Sequence, residues 1–238
     1  MAIGYNPRIV TGGLVFCLDA GNTKSYPGSG TTWTDLSGQG KNGTLTNMDG
    51  TNFNSANVGS LTFNGSNEQV FISNSFSSTS LPTGSSSRTL IACFKGTSSF
   101  GGYKHILHYG TNSTDQSYGI AILNGYLNNH TWGGNSNFSN FALSLNQIYW
   151  VAVTYNDSAT PRNRFFVNGT FGTTGYGQGK TSDYSINTGT SYGLAIGSRI
   201  ANAEYFIGNV YLSMVYNRVL TDAEIQQNFN ALRGRFGI

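Results

Sequence analysis

Gly193-Leu-Ala-Ile-Gly-Ser-Arg199, followed by Tyr205-Phe-Ile-Gly-Asn-Val-Tyr-Leu-Ser-Met-Val-Tyr-Asn-Arg-Val-Leu-Thr-Asp-Ala-Glu-Ile225, reads as two strands and then a short helix that closes a β-sandwich. The helix carries its own punctuation. Thr221 is placed to cap its N-terminus, and Glu224 can reach back to the Thr221 amide, which is the reciprocal pairing of a capping box. Leu220 before the cap and Ile225 at the fourth helical position form a hydrophobic staple. Ile225, Phe229 and Leu232 recur at helical spacing and make one apolar face. Gly234 is placed to stop the helix, so its expected bounds are 221–233.

Upstream of this ending the pattern is strand after strand. Leu61-Thr-Phe63 and Gln69-Val-Phe-Ile72 flank Asn64-Gly65. Tyr118-Gly-Ile-Ala-Ile-Leu123 and Tyr126-Leu127 flank Asn124-Gly125, and Asn168-Gly169 follows the strand that starts at Arg164. Asn-Gly suits a type I′ turn, which needs positive φ at both central residues, so each pair predicts a hairpin. Further strands are expected around Val15 and Cys17, from Arg88 to Lys95, His105 to Tyr109 and Gln147 to Tyr155. Residues 22–60 are turn-dense, 73–87 form a Ser-rich connector, and 128–140 and 172–192 read as Asn/Gly/Tyr-containing loops. Residues 1–12 look like an extended arm, and 13–238 like one sandwich domain, a size such domains reach undivided. There is no tandem repeat.

Charged residues make up 10% of the chain, well under the usual quarter, and the net charge is +3. The polar surface must therefore be built from Asn, Ser, Thr, Gln and Gly. No Lys/Arg-rich run is present, which argues against nucleic acid as a partner. No segment has the length and apolarity of a membrane span. The N-terminus lacks a basic region followed by an apolar run, so synthesis in a cytoplasm without a classical export signal is expected. Cys17 and Cys93 each lie in an apolar run. Buried free thiols are the expectation, with a disulfide requiring neighbouring strands and an oxidising compartment.

Several segments carry a family resemblance in order and spacing. They are Leu61-Thr-Phe-Asn-Gly-Ser-Asn-Glu-Gln-Val-Phe-Ile72, Arg88-Thr-Leu-Ile-Ala-Cys-Phe-Lys95, Trp150-Val-Ala-Val-Thr-Tyr155, Arg164-Phe-Phe-Val-Asn-Gly169 and Phe206-Ile-Gly-Asn-Val-Tyr-Leu212. Together the chain resembles laminin-G-like, concanavalin A-like lectin/glucanase domains. The resemblance implies an all-β, jelly-roll sandwich of two curved antiparallel sheets with a short C-terminal helix. The opening Gly13-Leu-Val-Phe-Cys-Leu-Asp-Ala-Gly-Asn22, with Trp33-Thr-Asp-Leu-Ser-Gly38 and Asn42-Gly-Thr-Leu-Thr-Asn47, is similar to the subgroup found in tailed-phage virions. That implies a non-enzymatic virion structural protein: a capsid decoration, tail or fibre component that mediates attachment or particle stabilisation. It would be made in the host cytoplasm, form a homo-oligomer or dock on other virion proteins, and contact host-surface glycans. The alternative is a soluble carbohydrate-binding lectin or adhesin. A fold of this kind hosts many functions, so sites must decide.

Retaining glycosidases of this fold need a close carboxylate pair in a Glu-x-Asp-x-x-Glu pattern, and none is present. Asp222 and Glu224 are close, but they sit where the helix dipole favours negative charge. No catalytic residues are expected. His105 and His108 are three apart, which in a regular strand places them on opposite faces. With His130 in a separate loop, no metal triad is expected. Calcium stays open through Asp19, Asn22 and Asp35 near one loop end, against a competing reading as Asx-turns. For sugar binding the 128–140 loop offers His130, Trp132, Asn135, Asn137 and Phe138, with Tyr176 and Tyr184 in the later loop and Trp33 in the early one. The competing reading is that these aromatics pack beneath their own loops or at a subunit interface.

Overall fold

The strands pair into two antiparallel sheets that share one apolar core. The computed structural model describes residues 7–73, 81–133, 136–176, 184–200 and 202–238. In chain order the strands begin with β1 (Leu14–Asp19), β2 (Thr32–Trp33), β3 (Gly43–Thr46), β4 (Phe53–Asn54), β5 (Ser60–Asn64) and β6 (Gln69–Ile72). The middle set is β7 (Arg88–Gly96), β8 (Tyr103–Gly110), β9 (Ser117–Leu123), β10 (Tyr126–His130) and β11 (Ser136–Ala142). The last are β12 (Tyr149–Tyr155), β13 (Asn163–Val167), β14 (Thr170–Phe171), β15 (Thr174–Tyr176), β16 (Tyr192–Ile196) and β17 (Ile207–Tyr216), before helix α1 (Asp222–Phe236). Among the described residues the first sheet has eight strands, in the order β14-β13-β12-β7-β17-β5-β4 with β1 also on β17. The second has nine, in the order β15-β11-β10-β9-β8-β16-β6-β3-β2.

The eight-stranded sheet is covered on both faces, and its strands therefore read as continuous apolar runs instead of alternating ones. On β7, Leu90, Ala92 and Phe94 enter the core between the sheets, while Ile91 and Cys93 join a second cluster on the opposite face. On β12, Val151, Val153 and Tyr155 face the core, and Trp150 and Ala152 face outward. Helix α1 closes that outer face. Phe229 packs 5.6 Å from both Trp150 and Phe166, and Phe236 lies 5.5 Å from Tyr211.

The capping box forms as expected: the Glu224 N–H donates to Thr221 Oγ1 at 3.2 Å, and the Thr221 N–H to Glu224 Oε2 at 2.9 Å. Arg218 grips the same carboxylate with two hydrogen bonds, at 2.8 and 2.7 Å. The end differs from the expected bound. The helix runs through Gly234 to Phe236 and stops at Gly237, which is left-handed at φ +70°. Its last turn earns its place through Phe236 and through Arg235, whose two nitrogens each reach an Asp19 oxygen at 2.6 Å.

Three further expectations change. The inner part of the 1–12 arm belongs to the domain: Val10 N–H donates to Asn228 Oδ1 (2.7 Å), Tyr216 OH to the Val10 carbonyl (2.8 Å), and Gln227 to the Arg8 carbonyl (2.7 Å). Residues 1–6 lie outside the described residues. The Asn64-Gly65 pair makes no hairpin, because β5 pairs with β17 and β4 while β6 pairs with β16 and β3 in the other sheet. Asn64 stays out of the left-handed region, whereas Asn124 and Asn168, at φ +49° and +44°, build the two hairpins expected of them. Finally, residues 128–140 are mostly two paired strands, β10 and β11, and not a loop. Asn128 and Asn129 are buried strand residues whose side-chain amides donate to the Asn137 carbonyl and to Asn163 Oδ1.

Cys17 and Cys93 are free and buried. They flank β17 from opposite sides, opposite Met214 and Leu212. Two strand spacings separate them by about 10 Å, beyond the roughly 7 Å limit for Cα atoms in a disulfide. Burial pushes the Cys17 thiol up to about 12 and the Cys93 thiol well above its ordinary value.

Two outcomes follow. Ile225→Ala should cost about 2–5 kcal/mol and Phe229→Ala about 3–5 kcal/mol of unfolding free energy, because each leaves a cavity under the helix; denaturant midpoints measure both. Native protein should resist an aromatic disulfide reagent at pH 8 and release two thiol equivalents only after unfolding.

Candidate functional site

The outer face of the nine-stranded sheet is built differently from that of its partner. Tyr118, Ile120 and Ile122 of β9 point into the core, so Gly119 and Ala121 lie on the other side. His108 on β8 and His130 on β10 both stand opposite Gly119, and His105 stands opposite Ala121. His105 and His108 are thus three residues apart on β8 but face positions two apart on β9. A β-bulge between His105 and Leu107 absorbs the extra residue and turns both histidines to the same face. This corrects the expectation of opposite faces and of a distant His130. Gly119 has no side chain to separate them: a Cβ there would strike the Leu107 carbonyl oxygen and the His108 ring.

The three imidazoles gather over this small-residue floor. Ring centroids lie 4.8 Å apart for His105–His108, 4.6 Å for His105–His130 and 5.3 Å for His108–His130. His130 Nδ1 is 3.3 Å from His108 Nε2. One ring nitrogen from each histidine lies within 4.8 Å of the others, and all three side chains are buried. Residues 197–200 and 202–206 cover them. Its Glu204 brings Oε2 to 3.4 Å from His105 Nδ1, and Ile200 N–H points at His108 Nδ1 at 3.4 Å. Arg199 Nε lies 3.0 Å from Glu204 Oε2, and its guanidinium sits 4.1 Å above the Trp132 ring. Among the described residues neither ring nitrogen of His105 makes a well-formed hydrogen bond, Glu204 being its nearest polar neighbour. Burial, the neighbouring imidazoles and Arg199 hold His105 and His108 well below the usual histidine range, and burial with Arg199 brings His130 down to about 3. The cluster is therefore neutral at pH 7, with ring lone pairs available to an electrophile.

The expected sugar-binding residues separate. His130 belongs to the histidine cluster. Trp132, half-buried beneath Arg199, and Phe138, half-buried on the outer face, flank it. Asn137 is fully buried in β11, on the core side opposite Asn129, and its N–H donates to Asn129 Oδ1 at 2.6 Å. Tyr184 packs against the core between the sheets. Tyr176 lies at the end of β15 opposite Asn137, and Asn135 lies outside the described residues. The side chains expected to hold calcium do not converge. Both Asp19 oxygens take Arg235, Asn22 Oδ1 accepts from Lys24 N–H in an exposed turn, and Asp35 accepts from the N–H groups of Cys17, Ser37 and Lys41. Asp35 thus organises its own loop, the Asx-type alternative. Asp222 and Glu224 are each held by a different arginine, Arg164 and Arg218.

Protonation of the cluster sets a direction for stability. A histidine neutral when folded takes up a proton on unfolding below its ordinary value near 6.5, so the unfolded state binds more protons there. Stability should be full above about pH 6.5 and fall as pH drops from there toward about 3, the value His130 keeps in the fold. Melting temperatures between pH 7.5 and 5, above most carboxylate titration, should show this slope, and His130→Gln should flatten it.

The fold is shared with solved structures of other proteins. The chain resembles Trypanosoma rangeli sialidase in complex with sialic acid at a TM-score of 0.61 and 17% identity, over 94% of this chain and 33% of that one. It resembles domain 4 of AbnA, a GH43 extracellular arabinanase from Geobacillus stearothermophilus, in complex with arabinotriose, at 0.59 and 14%, over 90% of this chain and 97% of that one. The botulinum neurotoxin type G receptor binding domain matches at 0.57 and 12%, over 91% and 50%. The chain thus spans about a third of the sialidase chains it matches, and at these identities the likeness is one of fold. No curated protein sequence matches it. The sequence model of the concanavalin A-like lectin/glucanases superfamily matches residues 64–226, from the end of β5 into helix α1. With both sheets and the closing helix in place, the chain belongs to the concanavalin A-like lectin/glucanases superfamily.

Proposed function

We propose that this protein is a non-catalytic attachment module that binds carbohydrate through the outer face and rim of its nine-stranded sheet, displayed in repeated copies on a tailed-phage virion. One observation carries the reading. The exposed large aromatics Phe71, Tyr126 and Tyr192 all belong to that sheet. Trp132 and Phe138 add partly exposed rings beside them. Aromatic faces joined to amide and hydroxyl groups suit the apolar and polar sides of a sugar ring. The arabinotriose complex of the arabinanase domain supports it, since that neighbour is nearly the size of this chain. The separate arginine partners of Asp222 and Glu224 support the non-catalytic half, because most glycosidase families need two carboxyl groups facing one bond. The virion setting rests on the similarity of residues 13–47 to phage virion proteins, and multivalent display would turn weak single contacts into firm attachment. Self-association or docking on other virion proteins would supply that display.

A glycan array with the purified chain, presented as a multivalent conjugate, tests the reading. Binding to a defined glycan class should appear, and Tyr126→Ala or Trp132→Ala should weaken it by about tenfold or more, equivalent to about 1.4 kcal/mol. Sustained release of reducing ends, abolished by one Asp or Glu substitution, would overturn the non-catalytic reading. Co-sedimentation with particles but no glycan bound would leave only a structural virion role.

A further inference from the structure

The geometry points to a transition-metal site of the zinc type, formed by His105, His108, His130 and Glu204, whose ion fastens the 197–206 segment to the outer face of the nine-stranded sheet. The inference stands on the histidine cluster alone and does not depend on carbohydrate binding.

Three observations carry it. The first is spacing. A tetrahedral ion with bonds of about 2.0–2.2 Å holds its ligand atoms about 3.3–3.6 Å apart. His108 Nε2 and His130 Nδ1 are separated by 3.3 Å, and His105 Nδ1 and Glu204 Oε2 by 3.4 Å. These pairs have the length of two opposite edges of such a tetrahedron. One nitrogen from each ring already lies within 4.8 Å of the others; Glu204 stands beside His105 alone, so its partly exposed side chain must swing inward to complete the set.

The second observation is what the polar atoms lack. His105 is fully buried, yet among the described residues neither ring nitrogen makes a well-formed hydrogen bond, and its nearest polar neighbour is Glu204. Buried polar atoms in a stable fold are normally paired, so an orphaned imidazole beside two others asks for a partner. A cation that accepts lone pairs satisfies all three rings at once.

The third is the donor set and its support. Three imidazoles and one carboxylate suit zinc, copper, nickel or iron, and not calcium or magnesium, which prefer oxygen alone. Arg199 stands 3.0 Å behind the Glu204 oxygen and orients it, as outer partners of metal ligands do. Glu204 is itself held in a left-handed backbone at φ +52°, with its carbonyl accepting the His105 N–H. Its side chain is 35% exposed, so an ion has a way in from the 197–206 side. Binding through His108 Nε2 moves that ring's proton to Nδ1. The Ile200 N–H contact to Nδ1 then opens, and the Glu204–metal bond replaces it as the tie between the segment and the sheet. Four protein ligands leave no open position, which makes the site structural.

The test uses the full chain, stripped with chelator, dialysed and titrated with ZnCl2 or CoCl2. One equivalent should bind, Co(II) should give the visible bands of a four-coordinate ion, and Zn(II) should raise the melting temperature and slow amide exchange in residues 197–206. Calcium and magnesium should do none of this. Glu204→Gln should weaken zinc binding at least about tenfold while the Co(II) spectrum changes. His108→Gln with His130→Gln should abolish binding, with near-ultraviolet circular dichroism confirming that the variant is folded. If the double variant does not fold, metal content and the thermal shift of the wild-type chain decide. Wild-type protein that retains no zinc after dialysis and melts at an unchanged temperature with zinc would overturn the site, as would undiminished binding by a folded double variant.

Discussion

A sheet that is apolar on both faces must be covered twice, and that requirement organises this molecule. The eight-stranded sheet puts Leu90, Ala92 and Phe94 toward its partner and Cys93, Trp150, Phe166 and Met214 away from it. Left in water, the second set would be a large exposed apolar patch of the kind soluble proteins avoid. Helix α1 covers it, and the surrounding details keep the helix in place. The capping box and Arg218 fix its start, the Arg235–Asp19 pair ties its last turn to the first strand, and residues 8–10 strap its middle. A helix this short is marginal by itself; packing and tethers stabilise it where intrinsic propensity does not.

Because one sheet spends both faces on packing, chemistry is left to the outer face of the other. There the construction runs the opposite way. Gly119, Ala121 and Ala195 keep the floor low, and the bulge at Ile106 brings His105 into line with His108. Polar rings then fill a space that branched aliphatic side chains would otherwise occupy. The cost of burying three imidazoles is met by keeping them neutral and by laying Arg199, Ile200 and Glu204 over them. Around this covered centre, Tyr126, Phe138 and Phe71 remain partly or largely open to solvent.

The parts that could be read from the sequence are those encoded by neighbours along the chain. Thr221 and Glu224 announce the helix because a capping box is a three-residue event. Asn124-Gly125 and Asn168-Gly169 announce hairpins because a turn is local. Asn64-Gly65 carries the same letters but sits where the chain leaves one sheet for the other, and pairing partners far along the sequence decided its role. Asn128 and Asn129 looked like loop residues because amides are usually solvated; buried partners in β11 and β13 kept them in a strand. The histidine cluster was hidden for two reasons. Strand periodicity assumes no bulge, and a single Ile106 insertion reverses the face of every residue before it. The approach of His130 depends on a glycine on the intervening strand, a relation visible only once β8, β9 and β10 lie side by side. Gly119 flanked by apolar residues is the one hint the sequence offered, since glycine within a strand often marks close approach.

The strap at residues 8–10 and the helix end at Gly237 have a consequence for which face of the fold they leave uncovered. Both ends of the described chain lie on the helix-covered side, held to Gln227, Asn228 and, through Arg235, to Asp19. The histidine-bearing face is on the opposite side of the two-sheet stack. Neither residues 8–10 nor the helix end therefore lies over the histidine-bearing face. The two outer faces of the stack thus differ in kind: one is sealed by the helix and its tethers, the other carries the buried histidines beneath residues 199, 200 and 204.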